Sequence, residues 1–408
     1  MGSKPNLNLW LWILLEGLYI LALTLKPARH RWRQLLFVAI FSIAGYALVY
    51  YRTDYRHLGV GERGLSARLP ILVAFASSNL MLCEPHRDIR LIGQKANISE
   101  LPFTERLWWA VLVWANPRGV NFAHEPTANL PSRPTHTTHI SFVLEQLQSI
   151  LGYMLLLDLV GAMNRANPYY TKDVPVIVGM QRLWWIAGFG FGAAIWLLVS
   201  MQFMFLSIML VLLGASNPND CPRFFGSPFD GYTVRRVWSK FWHQMLRRPC
   251  VTHADFAAKA LQLDPNSKNT YILKLTVAFL LSGIIHYISE AVPAESITEP
   301  LGCLVFFLLQ TVAIVFEEFV IKLARAVGFG VAKCDRSRKG GPNANSEGKP
   351  SWWVRVVGYL WVLLWIDFSL PYWTAAGYRA GWTEEIPQFS VILGLWKGDW
   401  FPLNKPVM

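Results

Sequence analysis

Two histidines in this chain sit in settings where an imidazole can do chemistry. His286 lies near the end of residues 271–290 (YILKLTVAFLLSGIIHYISE), an almost unbroken apolar run. An ionisable side chain at membrane depth is costly, so it normally faces a cavity or a partner and is a functional-site hypothesis by default. The alternative is a histidine satisfied by a serine or a carbonyl inside a packed bundle. Such an imidazole suits proton abstraction from a hydroxyl, because burial favours its neutral, basic form. His243 lies in residues 233–249 (TVRRVWSKFWHQMLRRP). Projected at 100° per residue, Arg236, Lys240, His243 and Arg247 fall within about 60° of one another, with Val234, Trp238, Phe241 and Met245 opposite. The expectation is a basic amphipathic helix ended by Pro249. One role for it is to lie on anionic headgroups; another is to cradle the phosphates of a donor, with an imidazole pointing into the cradle. The histidine within the basic row favours the second, since a headgroup anchor has no need of it.

The elements that must hold these residues are membrane helices. The 408-residue chain is 53% hydrophobic and 16% charged, with 19 Trp, where an average soluble domain has about 25% charged residues. Apolar runs near 20 residues make it an all-α, polytopic membrane protein. Spans are expected at 7–25 and 35–51, with a weaker one at 69–83 interrupted by Ser77, Ser78 and Asn79. No small-residue cleavage site follows the first run, which reads as a retained span, and Asn6 stands where a myristoylation start needs Ser or Thr. Residues 101–116 carry Leu107, Trp108, Val111, Leu112 and Ala115 at helical spacing in a run too short to span, so an interfacial or re-entrant helix is expected. Span 141–163 carries Glu145, Gln146, Gln148 and Asp158, which suggests that it faces the protein interior. The apolar stretch 183–214 is roughly 48 Å long as a helix, either one tilted helix or two segments broken near residues 200–202. Further spans at 301–325 and 352–370 and a short apolar C-terminal piece bring the total to seven to nine, in a single domain over 1–408. No solenoid or inverted repeat is visible.

Charge gives the orientation. The formal net charge is +12; in a membrane protein, basic loops report topology and contact with anionic lipid headgroups, not nucleic acid. Loop 215–270 carries Arg223, Arg235, Arg236, Lys240, Arg247, Arg248, Lys259 and Lys268. Loop 326–351, read as basic and flexible, carries Lys333, Arg336, Arg338, Lys339 and Lys349. Between them Glu290, Glu295 and Glu299 stand without a basic residue, so the two intervening helices start and end in the cytosol and His286 lies past the midplane toward the lumen. The sequon Asn97-Ile98-Ser99 takes no side from this pattern. His124, His136 and His139, in or beside the polar stretch 117–138 with Glu125 as its only acid, read as a solvated loop rather than a metal site. Five cysteines stand far apart without a CxxC pair, which gives neither a disulfide framework nor a zinc pattern.

The sequence FWHQMLR, 43 residues before the histidine of LLSGIIHYISE, resembles the membrane-bound O-acyltransferase superfamily, and more narrowly its fungal wax-synthase-domain branch. Residues 217–249 (NPNDCPRFFGSPFDGYTVRRVWSKFWHQMLRRP) are similar to that branch's Pro-Phe-Gly turn followed by a Trp-His core, although Trp238-Ser239-Lys240 stands where the branch often has Phe-Trp-Gly-Arg. Upstream, RLWWAVLVWANPRGVNF resembles its Arg-Leu-x-Trp … Arg-Gly segment. The resemblance implies a wax-synthase-like core over about 101–370 and transfer of an acetyl group from acetyl-CoA to a hydroxyl of a hydrophobic polycyclic (terpenoid or meroterpenoid) intermediate of fungal secondary metabolism, in the endoplasmic reticulum membrane and without a metal.

Thioester-to-alcohol transfer needs a base, a stabilised oxyanion and exclusion of water. His286 is expected as the base, as the superfamily resemblance also implies, its ring oriented by Ser282, Ser289 or Glu290. His243 is expected to donate a hydrogen bond to the acyl carbonyl or the CoA, and Arg236, Lys240 and Arg247 to hold CoA phosphates. Cytosolic acyl-CoA and a lipophilic alcohol would reach His286 from different directions. Two rivals remain. One is a wax synthase using a long-chain acyl-CoA; the other is a multi-pass transporter with His286, Asp158 and Glu145 as a relay, against which stands the missing inverted repeat.

Overall fold

The computed structural model describes residues 5–51, 62–135, 138–166, 184–291, 298, 300–328, 351–379 and 390–400. Its main helices are α1 (Leu9–Thr24), α2 (His30–Tyr50), α3 (Glu62–Ala76, continued by a π turn, Ser77–Met81), α4 (Phe103–Ala115), α5 (His139–Ala166), α6 (Trp184–Leu212), α7 (Arg247–Ala260), α8 (Lys268–Ala291), α9 (Leu301–Ala326), α10 (Trp352–Arg379) and α11 (Val391–Lys397). Among the described residues there is no strand, only a lone bridge between Leu91 and Phe122. Among the described residues six helices are long and apolar enough to cross a membrane: Pro27–Tyr50, His139–Asn164, Phe189–Leu212, Lys268–Ala291, Leu301–Ala326 and Trp352–Ala375. The shorter apolar helices Leu9–Thr24 and Ala67–Met81 accompany them. Of the stretch expected at 183–214, Trp184–Leu212 is one continuous helix.

The helix that carries His286 is central. α8 packs against α7 and α9 and against α3, α9 against α10, and α10 reaches α6, which pairs with α5. One face of α8 closes the N-terminal core with Ile285, beside Leu15, Tyr19, Phe75 and Trp109. Another face joins a second core of Phe279, Phe306, Phe307, Ile314 and Trp373. Charges buried in this apolar setting must be paired. Arg33 binds Glu84 at 2.7 Å, and Glu16 takes Arg68 at 2.9 Å and the Trp114 indole N–H at 2.6 Å.

Two expectations are corrected here. α5 does not turn its polar residues inward as a set, because they do not share one helical face. Gln146 and Asp158 are buried, but Leu144, Leu147, Leu151, Met154 and Leu155 are exposed. Asp158 accepts from the Ile392 backbone N–H at 2.9 Å and from the Ser390 hydroxyl, and so pins the start of α11; Glu145 lies 3.6 Å from Arg223. Neither contact belongs to a relay through His286.

The loop between α4 and α5 is not simply solvated either. Arg118 donates to the carbonyls of Arg223 (2.8 Å) and Pro222 (3.0 Å), Asn129 to that of Ser239 (2.9 Å), and Arg133 pairs with Glu125 (2.7 Å) and Asp220 (2.8 Å). These contacts tie the loop to residues 217–246. His139 is exposed at the start of α5, but His124 packs against Phe122 with its Nδ1 buried and unpartnered. Burial first, then the Arg248 charge, pushes the His124 pKa down to about 4. His136 and residues 329–350 of the basic loop lie outside the described residues. No cluster that could hold a metal exists among the described residues.

Candidate active site

Residues 233–249 do not form one amphipathic helix. Thr233 caps a single turn, Val234–Arg236, which widens into a π turn, Val237–Phe241, and ends at Trp242 in extended conformation (φ −68°, ψ 149°). Pro249 does not end a helix but sits in the first turn of α7, where its missing N–H costs nothing. Two features hold the short segment in place. The buried Glu317 of α9 accepts from the backbone N–H groups of Val234 (2.6 Å) and Arg235 (3.4 Å), serving the unpaired donors of a helix start. Gly226 donates to the Phe241 carbonyl at 2.8 Å, so close that a Cβ there would lie 1.9 Å from the Lys240 carbonyl oxygen. Only glycine fits.

The four polar residues therefore part company. Arg236 turns back to the Asp230 carbonyl (2.7 Å) and carboxylate (3.4 Å) and lies over the Tyr232 ring. Lys240 donates to the Ala128 carbonyl. Arg247 is exposed, and among the described residues its guanidinium makes only a long hydrogen bond (3.4 Å) to the Gln244 side chain. His243 points inward among Phe224, Phe225 and Trp242, with ring centroids 5.3, 5.4 and 5.6 Å away. Its Nδ1 is buried with no hydrogen-bond partner in another residue. Burial, with smaller contributions from His286 and Arg118, pushes its pKa down to about 3, so it is neutral at physiological pH.

His286 is held differently. Its Nδ1 lies 2.7 Å from the Ser282 carbonyl, one helical turn back. A carbonyl only accepts, so Nδ1 carries the proton and Nε2 presents a lone pair. Among the described residues no hydrogen bond reaches Nε2. Ser282 thus orients the ring through its main chain, whereas the Ser289 hydroxyl donates to the His286 carbonyl rather than to the ring. Phe307 (4.6 Å) and Trp373 (5.1 Å) wall the imidazole.

The two histidines are joined by an aromatic bridge. Trp242 meets Trp238 (5.9 Å), Trp238 meets Phe307 (5.8 Å), and Phe307 meets His286. Trp238 is fixed by its N–H to Gln310 (3.2 Å), a fully buried side chain that also takes the Trp365 N–H (3.3 Å). Trp238, Gln310 and Trp373 escape a reading of sequence alone, because nothing separates one tryptophan from another in a chain this rich in them. Arg118 escapes it too, although the Arg-Gly pair of the upstream segment marks its position. It stacks on the face of Phe224 at 5.2 Å, beside His243, and burial pushes its pKa down to about 10.

This arrangement sets an imidazole with its Nε2 lone pair available and a second, neutral imidazole among aromatic rings. The model of the "Membrane bound O-acyl transferase family" matches residues 221–309, which include both histidines. Over most of its length the chain is similar to fungal acetyltransferases. It is 29% identical to acetyltransferase eriL of Hericium erinaceus, covering 91% of this chain and 92% of that protein. It is 28% identical to acetyltransferase ple2 of Rhodocybe pseudopiperita, covering 94% and 95%. To acetyltransferase atnC of Arthrinium sp it is 27% identical, covering 70% and 67%. The chain is thus similar to membrane-bound O-acyltransferases in the segment that holds both histidines and to fungal acetyltransferases over most of its length, and it is an integral membrane acyltransferase.

Proposed function

We propose that the protein transfers an acetyl group from acetyl-CoA to a hydroxyl of a hydrophobic polycyclic intermediate of terpenoid or meroterpenoid type, in the endoplasmic reticulum membrane, with His286 as general base. The observation that carries this reading is the Nδ1–Ser282 hydrogen bond, which leaves Nε2 as an available acceptor between the rings of Phe307 and Trp373. The names of the relatives support acetyl rather than long-chain transfer. His243 serves as a donor toward the CoA side of the thioester. Arg247, without a carboxylate partner among the described residues, is the cation available for CoA phosphates, whereas Arg118, Arg236 and Lys240 are held by the chain itself. The acyl-transfer core spans about 101–370.

The test is incubation of membranes containing the protein with radiolabelled acetyl-CoA or palmitoyl-CoA and a panel of terpenoid and fatty alcohols. Acetyl ester on a polycyclic alcohol is the expected product; palmitoyl ester on a fatty alcohol would make the protein a wax synthase instead. His286→Ala is expected to abolish transfer while the protein still accumulates. Full activity in that variant removes the base assignment.

A further inference from the structure

Of the two rings against His286, Phe307 and Trp373, the second carries an unused polar group. Its ring stands nearly perpendicular to the imidazole (79°), packed among Phe191, Phe306 and Phe307. The indole Nε1–H is buried and has no acceptor. Other indoles in the bundle are satisfied: Trp109 donates to the Ile89 carbonyl, Trp114 to Glu16, Trp238 and Trp365 to Gln310, and Trp361 to Glu317. A buried donor without a partner is destabilising, and one retained in a folded protein calls for an explanation. The adjacent imidazole spends its Nδ1 proton on the Ser282 carbonyl and so presents a lone pair at Nε2. Trp373 is placed there by a close helix crossing, in which the Tyr372 carbonyl rests against Gly302 of α9, one residue beyond Pro371.

We propose that the Trp373 indole N–H is the donor to the acyl carbonyl oxygen at this site, and so a further catalytic residue; the proposal rests on the acetyl-transfer reading with His286 as base. The alcohol oxygen attacks the thioester carbonyl carbon and its proton passes to His286 Nε2. The carbonyl π pair moves onto oxygen, and that oxyanion accepts the Trp373 N–H. The tetrahedral intermediate then collapses, the C–S bond breaks, and the thiolate takes the proton back from the imidazolium to give free CoA thiol and the ester. Loss of one such preorganised donor typically lowers kcat by about 10²–10³-fold.

The experiment compares full-length wild type, Trp373→Phe and His286→Ala in detergent, with acetyl-CoA and an alcohol accepted by the wild type. Trp373→Phe keeps the ring contacts and removes the N–H. It is expected to lower kcat roughly 100-fold, to change either KM less than about threefold, and to leave the melting midpoint equal or higher, since an unsatisfied donor is gone. Wild-type kcat in Trp373→Phe, or a lost rate accompanied by a lowered midpoint, overturns the proposal. An active His286→Ala variant instead removes the base reading, whatever Trp373 does. Should Trp373→Phe fail to accumulate, Trp373→His and Trp373→Leu decide: a histidine variant at least tenfold faster supports a donor, and equal rates refute it.

Discussion

Gly302 offers the sharpest test of how the site is positioned. A Cβ added there would lie 2.0 Å from the Tyr372 carbonyl oxygen, where ordinary contact begins at 3.4 Å, and its neighbour is backbone, which cannot swing aside. Gly302→Ala therefore forces α9 and α10 apart by about 1.4 Å at this crossing, an overpacking that costs about 1–3 kcal/mol. In a chain of 408 residues that lowers the melting midpoint by roughly 1–4 °C. The effect on rate is larger. Phe307 rides on α9 and Trp373 on α10, both against His286, and a 1 Å misplacement at a reacting centre costs about 100-fold. The expected result is a kcat about 100-fold down with the KM for acetyl-CoA little changed, measured beside Gly45→Ala. Gly45 has nothing within 4 Å, so a methyl there is tolerated and adds helix propensity. Wild-type rate and midpoint in Gly302→Ala would refute the crossing, and with it the placement of Trp373.

Two further outcomes concern the other residues. His243 is neutral when buried, with a pKa near 3 against about 6.5 in the unfolded chain. Its folded pKa is depressed, so as pH falls below about 6.5 only the unfolded state gains the proton, and stability is lost progressively toward pH 3. By pH 5 the loss is on the order of 2 kcal/mol; the melting midpoint between pH 7.5 and 5 reads it, and His243→Gln is expected to flatten that profile. Arg247→Ala is expected to raise the KM for acetyl-CoA about tenfold, the worth of one charge-assisted hydrogen bond, with the KM for the alcohol unchanged. Arg236→Ala, which loses Asp230 and Tyr232, is expected to lower accumulation rather than raise that KM; the reverse pattern would return the phosphate role to the 236–240 row.

His286 was legible in the sequence because a titratable group inside 20 apolar residues has no ordinary reason to be there. The order of the apolar helices was legible for the same reason, since length and apolarity decide it; six long and two shorter apolar helices among the described residues answer the seven to nine expected. The basic row was misread because a projection at 100° per residue assumes an unbroken α-helix. The π turn adds a residue per turn, and Trp242 leaves the helix altogether, so Lys240, His243 and Arg247 end in three different settings. Pro249 signalled a boundary, and its preference for a first helical turn points to a start as readily as to a stop. The partners of Trp373 and Gln310 come from other helices, and no spacing within one helix encodes an unpaired indole N–H.

The π turn also explains how a segment from the basic end of the bundle reaches toward a histidine placed deep in α8. π turns are rare and recur at functional sites, since the widened turn redirects side chains that a regular helix would leave on its flank. Here Trp238, within the turn, lies against Phe279 and Phe307, while Trp242, just past it, frees His243 to turn in among Phe224 and Phe225. An unbroken helix over 234–249 would keep His243 in the same stripe as Arg236 and Lys240, among charges. Breaking it separates the two needs of the chemistry, with the cation Arg247 left exposed and the imidazole carried into the aromatic core. Glu317 and Gly226 make the break stable, one by serving the first N–H groups and the other by clearing space for the Lys240 carbonyl.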